Sequence, residues 1–364
     1  MDARAELRRR RRVVIKIGSR TLASDEGIYE RLARAVAAAH AEDRAVVLVS
    51  SGAIALGLRS LGWKTRPREI TKLQAAAAAG QPALMLLYER AFRAEGLEVA
   101  QVLLTHADLA DRIRGNNARA VIRTLLEARA VPVLNENDSV SVEEIKFGDN
   151  DQLAALVAPL VDADLVILLS DVDGLEGEGG ARIPIVRDVL RDALPHVRAS
   201  SSHSVGTGGM ASKLEAARRA TISGADAVVA DARRPGVIEA ILAGEDIGTL
   251  FIGSKSRQAA KKSWIAFTLR PRGAVILDAG ASHAVKTLGK SVLSIGVVGV
   301  RGDFRAGDAV RIMAADGAEI GRGLVRYAAA DAARIAGTPT RELGAEDAGR
   351  SVLVHRDELV VGTI

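Results

Sequence analysis

The sequence predicts an α/β protein with a mostly parallel sheet sandwiched by helices, followed by a small C-terminal β-barrel. From residue 13 to about 254, short and purely apolar runs alternate with alanine-rich helical patterns. Apolar runs without alternation are typical of parallel strands that are covered on both faces. Beyond residue 270, Gly and Asp recur at short intervals between β-rich pieces, which is typical of a small barrel. A length of 364 residues also favours two domains.

The elements of the first domain follow one another in βαβ order, which implies right-handed crossovers. The predicted strands are 13–17, 46–49, 99–104, 131–134, 165–169 and 227–230. The predicted helices are 28–40, 54–61, 81–95, 117–130, 152–161 and 214–222. In the second domain, the predicted strands are 275–278, 292–300, 309–313, 323–327 and 351–354. Helices are scarce there.

These patterns divide the chain into four segments. We predict a basic, disordered arm over 1–12, an α/β domain over 13–254, a linker over 255–270 and a β-domain over 271–354. The arm contains five consecutive arginines at 8–12, and without them the 50 basic and 45 acidic residues would balance. Such a run is typical of a solvated tail, with nucleic acid or an anionic membrane as the alternative partner.

The composition excludes several kinds of chemistry. The chain has no cysteine, which excludes thiol nucleophiles, disulfides and zinc sites that need sulfur. Its six histidines are scattered, which disfavours a histidine metal site, whereas magnesium bound to carboxylates stays open. The first apolar run is too short for a signal peptide and contains Lys16, so we expect a soluble, cytoplasmic protein without membrane contact.

Short polar side chains are concentrated after the fourth strand. Asn-Glu-Asn-Asp at 135–138 is followed by Gly-Asp-Asn-Asp at 148–151. Ligands of open α/β sheets bind beyond the carboxyl ends of the strands, where these groups are expected. Such carboxylates and amides could hold an amino group, a magnesium ion or both. An acidic surface loop is the alternative interpretation.

Three other strands contain, or are followed by, residues that could bind a phosphate or a nucleotide. Lys16 lies inside the first strand, where burial would require an anionic partner, although an edge-strand lysine could instead point to water. Ser51 precedes a glycine turn into a helix, whose N-terminal amides bind anions. Ser170 and Asp171 begin a loop that could contact a nucleotide or form a simple Asx turn.

The segment 206–213 reads Gly-Thr-Gly-Gly-Met-Ala-Ser-Lys and opens a helix. Glycines, hydroxyls and Lys213 at a helix start suit phosphate groups, with a flexible linker as the alternative. The segment matches neither a Walker A loop nor the dinucleotide pattern. Two lysines, glycine loops and Asp residues together indicate phosphoryl transfer by positioning and electrostatics, without a covalent intermediate.

In this order, the motifs resemble the glutamate 5-kinase family of the amino acid kinase superfamily. The matching segments are 14–19, 49–54, 135–138, 145–151, 170–175 and 206–213. Residues 302–308 resemble part of a PUA domain. The likeness covers nearly the whole chain from residue 13, and the ordered set is far more specific than any one motif. It implies the amino acid kinase fold with a C-terminal PUA domain.

The resemblance implies a role for each matching residue. ATP would phosphorylate the side-chain carboxylate of L-glutamate, the first step toward proline. Lys16 and Lys213 would stabilise the transferring phosphoryl group, and Asp151 would organise the two lysines. The residues that would bind glutamate are Ser51, Asp138 and Asn150. Those that would hold ATP are Lys16, Ser170, Asp171, Thr207, Gly208, Gly209, Met210, Ala211, Ser212 and Lys213. Mg²⁺ would be carried mainly by the ATP phosphates, with no protein ligand assigned.

The resemblance also implies partners and alternatives. We expect feedback inhibition by proline, functional coupling to glutamate-5-semialdehyde dehydrogenase, and a homodimer or homotetramer. Related kinases for aspartate, uridylate, carbamate or acetylglutamate share the lysine and glycine pattern. An RNA-binding or regulatory PUA protein is a second class, although the balanced charge of the body disfavours strong RNA binding. A catalytically dead sensor would require the loss of a key lysine, and both lysines are present.

Overall fold

The computed structural model describes residues 2–24, 27–141, 150–193, 195–196, 209–253, 262, 265, 269–342 and 351–362. The chain divides into two compact units. The first comprises Met1–Asp108 and Arg114–Lys255, and the second comprises Leu109–Ile113 and Ser256–Ile364. Most of the predicted linker over 255–270 lies outside the described residues. In the described part of the chain, no helix is both long and apolar enough to cross a membrane.

An eight-stranded sheet forms the centre of the first unit. Its strands are β1 (Arg12–Ile17), β2 (Ala45–Val49), β3 (Val99–Leu104), β4 (Val131–Glu136), β5 (Leu165–Ser170), β6 (Ile185–Val186), β7 (Asp226–Asp231) and β8 (Thr249–Phe251). Their order is β3-β4-β2-β1-β5-β7-β8-β6, and only the β7–β8 pair is antiparallel. Strands β4 and β5 are buried along their whole length, as expected for a sheet covered on both faces.

Helices lie between these strands along the chain. They are α1 (Ser19–Ser24), α2 (Ile28–Ala41), α3 (Ala53–Ser60), α4 (Ile70–Ala94), α5 (His106–Ala110), α6 (Arg112–Glu127), α7 (Asn150–Leu160), α8 (Met210–Ile222) and α9 (Val237–Leu242). The prediction began the third helix at Gln81, whereas α4 begins eleven residues earlier. The reason is local composition, because the preceding run Ala-Ala-Ala-Ala-Ala-Gly has no hydrophobic periodicity to reveal a buried face.

Helices α3 and α4 lie in direct backbone contact. A Cβ atom on Gly57 would lie 1.7 Å from the Ala76 carbonyl oxygen, and one on Gly80 would lie 1.9 Å from the Ala53 carbonyl oxygen. No side chain fits at either position without moving a backbone. Small residues in α4 therefore place this helix against the first turn of α3, directly after Ser51 and Gly52.

The prediction of a disordered arm over 1–12 is wrong. Residues Ala5–Arg9 form a 3₁₀ helix, and the Leu7 side chain is completely buried in the core of the first unit. Arg4 is also buried. Its guanidinium donates hydrogen bonds to four carbonyl oxygens, those of Pro184, Glu245, Ile247 and Gly248, at 2.7–3.0 Å.

Further contacts hold this segment on the domain. Arg10 forms a 2.6 Å ion pair with Asp226, at the start of β7. The Arg44 guanidinium donates to the carbonyl oxygens of Arg8 and Arg10, at 3.1 Å each. Charge composition predicts a tail only when the charges stay in water, and here carbonyl and carboxylate partners hold the segment on the domain.

The second unit is a curled sheet that forms a half-barrel. Its strands are β9 (Gly273–Leu277), β10 (Val292–Leu293), β11 (Val297–Gly302), β12 (Ala309–Ala314), β13 (Glu319–Val325) and β14 (Val352–Val361). The strand order is β10-β14-β13-β12-β9-β11, and only β9 and β12 pair in parallel. These two sheets confirm the predicted fold class.

Two helices of the second unit were not predicted, namely α10 (Ala279–Leu288) and α11 (Ala329–Ile335). The ends of α10 carry recognisable signals. The Asp278 side chain caps its first turn by accepting a 2.6 Å hydrogen bond from the Ala281 amide, and Gly289 ends it with a φ of 61°. The short apolar pieces around these helices led to the prediction of strands alone.

Candidate active site

Two lysines meet one carboxylate at the centre of the first unit. The Asp151 carboxylate contacts the Lys16 ammonium at 2.5 Å through Oδ1 and the Lys213 ammonium at 3.2 Å through Oδ2. All three side chains are at most 8% exposed. They come from β1, from the first turn of α7 and from the first turn of α8, far apart in sequence. The fold therefore concentrates two positive charges around one buried anion.

The sheet topology explains the position of Lys16. It pairs in register with Val49 of β2 and Leu168 of β5, so β1 is a central strand. The alternative of an edge-strand lysine that points to water is therefore wrong. Burial of an ammonium group in such a strand is tolerated only with an anionic partner, which Asp151 provides.

Asp151 stays ionised in this setting. Burial acts to raise the pKa of its carboxyl group, but the adjacent Lys16 and Lys213 ammonium groups outweigh burial and lower the pKa. Its place in the first turn of α7 adds the positive end of the helix dipole. The three residues thus form a charged centre with a net charge of about +1 when both lysines are protonated.

Asn150 connects this centre to the turn after β2. Its side-chain amide donates to the Ser50 carbonyl oxygen, to Ser51 Oγ at 2.9 Å and to Asn135 Oδ1 at 3.0 Å. Gly52 follows with a φ of 100°, a left-handed conformation that glycine adopts readily, and it directly precedes α3. The structure thus brings the predicted residues Ser51 and Asn150 together, with Asn150 and Asp151 adjacent in α7.

The polar segment after β4 lies at the same edge of the sheet. Strand β4 continues through Asn135 and Glu136, and both side chains are buried, so these two residues are not part of a surface loop. Asp138 follows in a turn and is partly buried. The turn ends at Ser141, whose carbonyl oxygen accepts a 3.1 Å hydrogen bond from Gln74 Nε2 in α4.

Ser170 and Asp171 lie at the carboxyl end of β5, next to β1 in the sheet. Ser170 Oγ donates to Asp171 Oδ1 at 3.1 Å, and Arg20 pairs with Asp171 Oδ2 at 3.1 Å. Burial acts to raise the pKa of Asp171, but these hydrogen bonds and the Arg20 charge lower it. The Asp171 carboxylate thus pairs with an arginine.

The glycine-rich segment is described from Gly209 onward, and the predicted residues Thr207 and Gly208 lie outside the described residues. Gly209 precedes α8, and its carbonyl oxygen accepts from the Ser212 amide at 3.1 Å. Met210, Ala211, Ser212 and Lys213 form the first turn of that helix. The Ser212 carbonyl oxygen accepts from Gln152 Nε2 at 3.3 Å, which links α8 to α7.

The described residues contain no group of three or more His, Cys, Asp or Glu side chains that could hold a metal ion. The one carboxylate at the centre, Asp151, is engaged by two ammonium groups.

Sequence reasoning missed two polar residues beside the site, Gln81 and Tyr88. Gln81 Oε1 accepts from Asn135 Nδ2 at 2.9 Å, and Tyr88 OH lies 2.9 Å from Ser50 Oγ. Gln81 and Tyr88 are seven residues apart on α4, which places them on one face of the helix. Burial raises the pKa of the Tyr88 phenol, which stays neutral. Asn135 lay within a recognised motif, whereas Gln81 was visible only as an isolated polar residue in an apolar helix.

Comparisons with known proteins agree with this geometry. A model of the amino acid kinase family matches residues 11–231, and a model of the PUA domain matches residues 273–345. The chain is 46% identical over 362 residues to a glutamate 5-kinase of Thermus thermophilus, covering 96% of this chain and 97% of that enzyme. It is also 46% identical over 371 residues to the glutamate 5-kinase of Myxococcus xanthus, covering 98% of both.

A solved structure shares the fold at low identity. N-acetylglutamate synthase from Neisseria gonorrhoeae, complexed with coenzyme A and N-acetyl-glutamate, gives a TM-score of 0.51 at 17% identity. The match covers 70% of this chain and 62% of that one, and it bears on the fold alone. The family match over most of the first unit and the near full-length identity to two enzymes lead to one conclusion: the chain belongs to the amino acid kinase family, and within it to the glutamate 5-kinases.

Proposed function

We propose that the protein transfers the γ-phosphoryl group of ATP to the side-chain carboxylate of L-glutamate, which yields γ-glutamyl phosphate and ADP, as the first step of proline biosynthesis. The observation that carries this proposal is the buried Lys16–Asp151–Lys213 centre. The names of relatives at 46% identity support the choice of acceptor. A carboxylate oxygen of glutamate attacks the γ-phosphorus, and the bond to the β,γ-bridging oxygen breaks.

The two lysines act on the charge of the transferring group. Phosphoryl transfer needs little covalent assistance from the protein and depends on positioning and electrostatic stabilisation. Asp151 holds both ammonium groups at the same point, which limits their reorganisation during the reaction. In this proposal Lys16 and Lys213 neutralise the γ-phosphoryl oxygens, and Asp151 acts as an organising group that contacts no substrate atom.

The acceptor amino acid occupies the side of the site formed by Ser51, Asp138 and Asn150. The Asp138 carboxylate has the charge that the substrate ammonium group requires. Ser51 Oγ accepts from Asn150, which leaves the Ser51 hydroxyl hydrogen to donate to a substrate carboxylate. A charge-assisted hydrogen bond of this kind is stronger than one between neutral groups.

ATP occupies the side formed by Ser170, Asp171 and residues 207–213. Backbone amides at the start of α8 face the phosphates, and Lys213 extends from the same turn. When bound with ATP, Mg²⁺ neutralises part of the phosphate charge. As the family resemblance implies, the ion would be carried mainly by the ATP phosphates, with no protein ligand assigned.

Three further proposals concern partners. Acyl phosphates hydrolyse readily, so we propose functional coupling to the reductase that consumes the product, glutamate-5-semialdehyde dehydrogenase. Proline is proposed as a feedback inhibitor, and a homodimer or homotetramer as the working assembly. All three proposals come from the family resemblance.

The proposed reaction can be tested with hydroxylamine, which traps an acyl phosphate as a hydroxamate. Purified protein is incubated with glutamate, ATP, Mg²⁺ and hydroxylamine, and with aspartate or acetylglutamate in place of glutamate. We expect γ-glutamyl hydroxamate that depends on glutamate and decreases when proline is added. Turnover of another acceptor with none of glutamate would contradict the proposed substrate, and full activity at high proline would contradict the proposed regulation.

A second candidate function is weak RNA binding by the second unit. The observation that favours it is a cavity of about 400 Å³ lined by Arg272, Arg301 and Arg311 together with small and apolar residues. Binding of single-stranded RNA that weakens steeply as salt rises would support this function. Binding that does not change after replacement of these arginines would contradict it.

A further inference from the structure

We propose that Gln81 is a positioning residue for the amino-acid acceptor site. It acts through Asn135, which orients the Asn150 amide that contacts Ser51. This inference rests on the proposed function, because it assigns the role of Gln81 within the same site. The chain of contacts runs Gln81–Asn135–Asn150–Ser51, with distances of 2.9, 3.0 and 2.9 Å.

The direction of each hydrogen bond follows from groups that can only donate or only accept. The Glu136 backbone amide donates to Asn135 Oδ1 at 3.0 Å, and a backbone N–H can only donate. The amide nitrogen of Asn135 must then face away from it, toward Gln81. Gln81 therefore presents its side-chain oxygen to Asn135. The side-chain nitrogen of Gln81 then faces Gln101 Oε1, at 3.5 Å.

The same reasoning sets the orientation of Asn150. The Ser50 carbonyl oxygen can only accept, so the Asn150 amide nitrogen faces it. That nitrogen also meets Asn135 Oδ1, which accepts only because Asn135 is held with its oxygen on this side. If Asn135 rotated by half a turn, two amide nitrogens would face each other. Gln81 disfavours this rotation because it offers an acceptor oxygen where the Asn135 nitrogen now lies.

Burial makes this preference strong. Gln81 and Asn135 are 9% and 2% exposed, so little water reaches a misplaced amide. An unsatisfied buried donor costs more free energy than a typical hydrogen bond contributes. Without the Gln81 oxygen, the Asn135 amide nitrogen loses this acceptor, and Asn135 should be held less firmly in the orientation that serves Asn150.

Helix α4 holds Gln81 rigidly. Gly80 packs its backbone on the Ala53 carbonyl oxygen, at the turn that follows Ser51. Two helical turns before Gln81, Gln74 donates to the Ser141 carbonyl oxygen, at the end of the turn that contains Asp138. One face of α4 thus contacts both the Ser51 turn and the Asp138 turn. Within the described residues, these polar contacts lie at groups proposed to bind the amino acid, which predicts an effect on glutamate and none on ATP.

The test compares Gln81→Met with the wild type in the hydroxamate assay. Methionine keeps the length of the side chain but offers Asn135 no oxygen acceptor. We expect KM for glutamate to rise about tenfold, the size of effect that follows from one unsatisfied buried donor. We expect KM for ATP to stay within about twofold, because the contacts from Gln81 to Ser51 include no residue that is proposed to bind ATP. The rise in melting temperature caused by glutamate should shrink, whereas the rise caused by ATP should remain.

A structural control separates positioning from loss of stability. Leu84→Ala removes a buried apolar side chain one turn further along α4 and leaves the amides in place. It should lower the melting temperature without a selective change in KM for glutamate. If Gln81→Met does not fold, Gln81→Asn serves the same purpose, because its shorter side chain withdraws the oxygen from Asn135.

The outcomes distinguish this inference from the proposed function. If the wild type forms hydroxamate and Gln81→Met leaves KM for glutamate unchanged, the inference is wrong and the proposed function stands. The inference is also wrong, and the proposed function still stands, if KM for glutamate and KM for ATP rise together, as they would after a general loosening of the domain. If the wild type forms no product from glutamate, the proposed function itself is wrong, whatever the variant does.

Discussion

At the scale of single residues, the site depends on Asp151, because its two oxygens each bind one buried ammonium group. We expect Asp151→Asn to reduce kcat by at least about 100-fold, the size typical of the loss of one preorganised electrostatic group. The neutral amide would no longer hold two lysines at one point. The hydroxamate assay measures kcat, and Asp162→Asn is the matched control because its side chain is 68% exposed. Equal loss in both variants would contradict the role of Asp151.

The same carboxylate makes stability depend on pH. The pKa of Asp151 is lowered in the folded protein from an ordinary value of 3.8. A carboxyl group with a lowered pKa stabilises the folded state above its unfolded pKa, and this contribution is lost as pH falls through the folded pKa. The wild type should therefore lose its stability advantage over Asp151→Asn as pH falls below 3.8. Urea unfolding of both proteins at neutral and acidic pH measures the difference, and a constant difference would contradict the expectation.

At the scale of elements, the contact between α3 and α4 determines where the Ser51 turn lies. We expect Gly80→Ala to destabilise the first unit and to impair glutamate binding, because its Cβ atom would overlap the Ala53 carbonyl oxygen at 1.9 Å. Overpacking of this kind typically costs about 1–3 kcal/mol. Urea unfolding and KM for glutamate measure the two effects.

Gly280→Ala is the control for this substitution. Gly280 also lies in a helix, but a Cβ atom there would meet only the Asp278 carboxylate, at an ordinary 3.5 Å. Alanine favours helix over glycine by up to about 1 kcal/mol, so this variant should be as stable as the wild type or slightly more stable. Comparable destabilisation of both variants would show that the α3–α4 contact has no special importance.

The N-terminal segment is the second element with a testable role. Arg4 donates to four carbonyl oxygens and pairs with Asp246 at 2.9 Å, so Arg4→Ala should lower the free energy of unfolding by about 2–4 kcal/mol. Arg9→Ala should change it by less than about 0.5 kcal/mol, because Arg9 is exposed and its ion pair with Glu6 is local. Chemical denaturation measures both values. Equal stability of the two variants would indicate a solvated arm.

At the scale of the whole molecule, each unit has its own hydrophobic core. The first unit packs strands β1, β2 and β5 with helices α2 and α4, and the second packs the half-barrel strands around Phe304. A fragment that ends at Lys255 should therefore remain soluble, unfold cooperatively and form hydroxamate from glutamate. Circular dichroism and the activity assay test this expectation. An insoluble or inactive fragment would show that the kinase unit requires the second unit.

Much of this molecule could be predicted from sequence because strand and helix patterns are local. All six predicted strands of the first unit are present within two residues of their predicted ends. Strand β8 was missed because its three residues, Thr249–Phe251, are too few for a periodic signal. The predicted start of α4 was too far along the chain, because a run of small residues gives no periodic signal. The N-terminal segment was wrongly predicted to be disordered, because the partners of its arginines are distant in sequence.

The sequence by itself determined the βαβ order, the two-domain division and the polar residues that follow each strand. These features depend on hydrophobic period and on turn residues, which act over a few positions. Only the tertiary structure decided that Lys16, Asp151 and Lys213 share one buried contact, that Gln81 faces Asn135, and that Arg4 is enclosed by carbonyl oxygens. These contacts join residues between 54 and 244 positions apart, and no local pattern encodes which distant partner a buried charge or amide will meet.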